Sequence, residues 1–164
     1  MPFPKPFGGS RKAKVGGLPA ILVAVTGDPS DLPSVQAACN LLDPEGDLYI
    51  VYVIEVSRGL PVDAELAPAT AKGEEVLRKV EVVARELRIE PKAGLLQSRK
   101  AGLAIVQEAI DKKVDAVIVG IPYRQVYGAF SMGETAQYVL THAPCRVVLW
   151  RETISPATAG RSIR

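Results

Sequence analysis

VIVGIPYRQVYGAFSMGETAQYVLTHAPCRVVLW, residues 117–150, decides the fold. The apolar run Ala116 to Val119 ends at Gly120, a long loop containing glycine and aromatic residues follows, and a helical stretch begins after Gly133. Pro144 stops that helix, and Arg146 to Trp150 (RVVLW) is a second apolar run. Strand, loop, helix and strand in this order make one β-α-β step, which lays its two strands parallel. The runs are continuously apolar rather than alternating, as expected of strands covered on both faces.

The same alternation extends upstream. Pro19 to Thr26 (PAILVAVT) predicts a first buried strand, followed by the turn cluster Gly27-Asp28-Pro29-Ser30. Asp31-Leu32-Pro33 can start a helix with proline in its first turn, and Val35, Ala38, Cys39 and Leu42 then repeat on one helical face. Leu48 to Ile54 (LYIVYVI) predicts the second strand. A long helix from about Thr70 to Leu87 carries the stripe Val76, Leu77, Val80, Val83, Ala84 and Leu87. Lys92 to Gln97 is a weaker third strand, and Ala101 to Ile110 a third helix. The expected fold class is therefore α/β: a five-stranded, mostly parallel, doubly wound sheet of order 3-2-1-4-5 with helices on both faces. In such a sheet ligands sit beyond the carboxyl ends of the strands where strand order reverses, here between strands one and four. The loops Thr26–Ser30 and Gly120–Thr135 flank that point.

Composition excludes several classes. Of the 164 residues, 48% are hydrophobic and 23% charged, the balance of a soluble globular chain rather than a disordered or membrane one. The net charge of +2 is unevenly placed. Residues 1–17 hold Lys5, Arg11, Lys12 and Lys14 with no acid, and read as a flexible basic arm. Residues 152–164 read as a loose C-terminal tail, which leaves 18–151 as the folded unit. Residues 18–150 carry 13 basic against 17 acidic side chains, which disfavours a general nucleic-acid surface. No apolar run approaches the roughly 20 residues of a membrane span, and no secretory signal pattern follows the positive start. Two distant cysteines, Cys39 and Cys145, give no disulfide framework and fit a cytoplasmic setting. One histidine, His142, excludes a multi-histidine metal site and supplies no placed base for a nucleophile.

The free amides at a helix N-terminus, approached through a glycine, form an anion site, and Gly133 holds that position here. At this point the sequence resembles the universal stress protein family over about residues 18–151. The resemblance rests on ILVAV, LYIVYVI, DAVIVG and the terminal HAPCRVVLW, together with a strand-four loop similar to the family's G-x2-G-x9-G-[ST] pattern. That pattern wraps the phosphates and ribose of ATP in the family's nucleotide-binding members. Gly120 and Gly133 match its first and third glycines, Tyr123 stands at the second, and Glu134 stands at the hydroxyl position with Thr135 one place later. Thr26 ends strand one where the family's binders place an aspartate, with Gly27 next and Asp28 two residues on. Val53 matches the strand-two position whose backbone meets adenine, and Arg124 is the only basic side chain between residues 114 and 145.

The resemblance thus implies a regulatory domain that binds an adenine nucleotide, ATP or AMP, through Thr26, Gly27, Val53, Gly120, Arg124, Gly133, Glu134 and Thr135. It also implies a homodimer joined through the edge strand Val147, Val148, Leu149 and Trp150. Two alternatives stay open beside it. One is a dimeric interaction module of the stress response that binds no nucleotide. The other is slow ATP hydrolysis, to which no residue can be assigned.

Overall fold

The computed structural model describes residues 17–154. The basic arm (apart from Gly17) and residues 155–164 of the C-terminal tail lie outside the described residues. The chain runs β1 (Leu18–Val25), α1 (Asp31–Leu41), β2 (Leu42–Glu55), α2 (Ala67–Glu86), β3 (Lys92–Ser98) and α3 (Ala101–Lys112). It continues β4 (Ala116–Ile121), β5 (Gln125–Val126), β6 (Ala129–Phe130), α4 (Glu134–His142) and β7 (Arg146–Arg151). The main sheet has five parallel strands in the order β3-β2-β1-β4-β7. This is the expected order. Its last strand is numbered seven because the loop after β4 folds a two-stranded hairpin of its own.

Strand periodicity divides the core in two. Ile21, Val23 and Val25 of β1 face α1 and α2, and pack with Val35, Ala38, Val76 and Val80. The alternate residues Ala20, Leu22 and Ala24 face α3 and α4, and pack with Ile105, Val106, Ala136 and Val139. Residues 20–25 are all buried, so the run could not alternate polar with apolar side chains. Each fully buried Val, Leu or Ile contributes about 1.5–3 kcal/mol relative to exposure, so the central strands β1 and β4 dominate the sheet's stability.

Element boundaries differ from the sequence reading most at the starts of β2 and α2. Leu42 leaves the helical stripe and begins β2, with extended backbone at φ −73 and ψ 139. The early part of β2 pairs Leu18 with Leu42, and the register then jumps to Ala20 opposite Asp47. The second helix starts at Ala67, with proline in its first turn, three residues before the expected Thr70.

Candidate functional site

The β1–α1 turn is tied down by one buried side chain. The Asp31 carboxylate accepts hydrogen bonds from the Thr26 amide at 3.1 and 3.2 Å and from the Gly27 amide at 2.6 Å. Thr26 Oγ1 donates to Asp28 Oδ2 at 3.1 Å. Burial pushes the Asp31 carboxyl above the ordinary carboxylate range, and neighbouring Asp28 adds to the rise, although the amides of Thr26 and Gly27 oppose it. A raised folded-state pKa means that the fold binds more protons than the unfolded chain between the two values. Asp31 therefore adds stability below its unfolded pKa, and that contribution is lost as pH rises through its folded pKa. The stability difference between the wild type and Asp31→Asn should accordingly shrink from about pH 4 to pH 7. Urea unfolding of both proteins across that range checks the sign, and a difference that grew with pH would refute it.

Behind this turn, Ser34 Oγ donates to the Ser30 carbonyl at 2.6 Å. Both serines are fully buried, and they leave no room on the neighbouring strand. A Cβ built on Gly120 would lie 2.6 Å from Ser34 Oγ and 2.9 Å from Ser30 Oγ. Gly120 is therefore required by the close packing of α1 on β4.

Gly133 is required for a different reason. It is the residue before α4, at φ 83 and ψ 162, a region open to essentially glycine alone. A Cβ built there would meet no atom within 4 Å. The start of α4 thus faces open space, and Gly133 is part of the wall of a cleft of about 300 Å³ beyond the carboxyl ends of β1 and β4. The cleft gathers Thr26, Gly120, Arg124, Gly133, Glu134 and Thr135 from the sequence candidates, together with Asp28. Gly27 and Val53 do not line it. The Gly27 amide is engaged by Asp31, and Val53 is half-buried in β2 against the α3/α4 core.

The loop hairpin forms the outer wall. Tyr127 and Gly128 both have positive φ, 52 and 77, as a type I′ turn demands. Ser131 N–H donates to the Arg124 carbonyl at 3.0 Å and closes the hairpin. Val126, Ser131 and Met132 thereby reach the cleft, and the sequence reading missed all three. The Tyr-Gly dipeptide inside the long loop was the available signal. Tyr123 does not line the cleft. Its ring stacks on Phe130 at 5.7 Å, with the Arg151 guanidinium over both rings.

A smaller hollow of about 190 Å³ adjoins the cleft and shares Glu134 and Thr135 with it. Glu55, Lys100, Leu103 and Tyr138 complete most of its wall. Lys100 Nζ pairs with Glu134 Oε1 at 3.0 Å, joining the start of α3 to the start of α4. Glu55 Oε1 accepts from the Ala101 amide at 2.8 Å and caps α3. These two residues were also missed, although both lie where β2 and β3 end, in line with the carboxyl-end rule.

Neither cysteine is activated as a nucleophile. Burial pushes the thiols of Cys39 and Cys145 upward, away from thiolate. His142 stacks on Tyr138 at 4.0 Å with its Nδ1 3.0 Å from the Tyr138 carbonyl. No group of metal-ligating side chains occurs among the described residues.

The fold and the cleft together define a doubly wound α/β domain with an open cleft at its switch point. The universal stress protein family model matches residues 18–151, and the chain belongs to that family. Universal stress protein MJ0531 of Methanocaldococcus jannaschii is 28% identical over 136 residues, covering 79% of this chain and 79% of that protein. A universal stress protein structure from Archaeoglobus fulgidus has a TM-score of 0.67 at 21% identity, covering 79% of this chain and 96% of its own. An A. fulgidus universal stress protein in complex with dAMP has a TM-score of 0.63 at 18% identity, covering 79% of this chain and 95% of that one. At these identities the two structures show a shared fold. No described helix is long and apolar enough to cross a membrane.

Proposed function

We propose that the chain is a homodimeric, cytoplasmic stress-response regulator that binds an adenine nucleotide, AMP or ATP, in the cleft between β1 and β4. The observation that carries this reading is the open space at Gly133, which with the first residues of α4 lines a cleft of ligand size. The dAMP complex of the A. fulgidus relative supports it. The homodimer reading draws support from β7, which ends the sheet and bears the partly buried Val147, Val148 and Leu149, with Trp150 39% exposed. An apolar edge of this kind favours pairing with a second copy.

The hairpin favours a second reading, that of a dimeric interaction module without nucleotide. Tyr127 is fully exposed, and Val126 and Phe130 flank it at 51% and 42% exposure. Native mass spectrometry with added AMP separates the two. The first reading expects twice the chain mass with one AMP per chain. A dimer that stays free of AMP at millimolar concentration leaves the interaction module, and a monomer removes the β7 seam from both readings.

A further inference from the structure

We propose that the cleft selects its ligand by charge and takes adenosine monophosphates in preference to ATP, with Glu134 as the discriminating residue. This inference rests on the nucleotide reading given above. A phosphate reaching the amides at Gly133 enters beside the first residue of α4, which is Glu134. The cleft wall carries two carboxylates, Asp28 and Glu134, against one cation, Arg124. Lys100 lines the adjoining hollow, but its ammonium already lies 3.0 Å from Glu134 Oε1 and 3.2 Å from Oε2. An incoming phosphate either leaves that pair intact and gains no new cation, or breaks it and frees a carboxylate next to itself. Counting Lys100 with the wall, the charges sum to zero, so beyond the one phosphate that Arg124 can meet, each added phosphate brings negative charge with no further cation on the cleft wall. The amides of α4 compensate roughly half an elementary charge, which suits a monophosphate better than a triphosphate. The Glu134 side chain is largely exposed and its ion pair with Lys100 is a surface one, so its replacement costs the fold little.

Calorimetric titration with adenosine, AMP and ATP in EDTA tests this on the wild type, Glu134→Gln and Lys100→Met. The wild type should bind AMP about tenfold or more tightly than ATP. Glu134→Gln should raise ATP affinity by about tenfold and leave adenosine within about twofold. Lys100→Met, which unpairs Glu134, should widen the gap between AMP and ATP. ATP binding as tightly as AMP in the wild type would overturn the charge selection while keeping the nucleotide reading. An equal effect of Glu134→Gln on adenosine and ATP would do the same. No binding of any of the three ligands to any of the folded proteins would overturn both.

Discussion

Gly120→Ala should lower the unfolding free energy by about 1–3 kcal/mol, the usual cost of forcing extra volume into a packed interior. For a domain of this size that is a fall in Tm of roughly 2–12 °C. The added methyl would sit 2.6 Å from Ser34 Oγ, 2.9 Å from Ser30 Oγ and 3.0 Å from Ser30 Cβ. None of these atoms moves easily. Ser34 Oγ is held by the Ser30 carbonyl, and both side chains are fully buried at the start of α1. Relief requires α1 to shift, and α1 carries Asp31, whose carboxylate fixes the amides of Thr26 and Gly27. A small gain from replacing a strand glycine, about 0.5–1 kcal/mol, offsets only part of this. Removing the closest atom should recover stability, so Gly120→Ala with Ser34→Ala should be more stable than the sum of the single changes by about 1 kcal/mol. Additive single and double variants in urea unfolding would show that the packing of Ser34 on Gly120 does not determine the need for glycine.

The same glycine shows how far a sequence can be read. Strand order, the two helix layers and the location of the cleft follow from apolar runs, turn residues and the β-α-β rule, because these are local patterns with one topological solution. Gly120 looked like a loop glycine serving a ligand. Its contact with Ser30 and Ser34 lies across some ninety positions of sequence and leaves no periodic trace. The Lys100–Glu134 pair is separated by 34 positions and is equally silent. Leu42 fits the helical stripe by spacing, and only its pairing with Leu18 on β1, which leaves no local trace, draws it into β2. Tyr123 stands at a glycine position of the loop pattern. Aromatic stacking on Phe130 turns the ring to the hairpin, where the Arg151 guanidinium lies over it. The two-residue strands of that hairpin are too short for any alternation to be visible.

Gly133→Asp should abolish nucleotide binding with only a moderate loss of stability. At φ 83 and ψ 162 any side chain strains the backbone, at about 1–3 kcal/mol. The strain relaxes if the peptide rotates toward ordinary φ, and that rotation turns the first amides of α4 away from the cleft. Losing two charge-assisted amide bonds to a phosphate costs about 3 kcal/mol or more, roughly 100-fold in affinity. The new carboxylate also enters a wall that already holds Asp28 and Glu134. Gly133→Ala separates the two effects, since it brings the same strain without the charge, and a Cβ there meets no atom within 4 Å. Both variants should therefore lose similar stability, because neither side chain clashes. Affinity for AMP should fall in the order wild type, Gly133→Ala, Gly133→Asp. Equal affinities across the three would mean that the amides of α4 do not hold the phosphate. A much larger stability loss for Ala than about 3 kcal/mol would mean that the space before Gly133 is filled in solution.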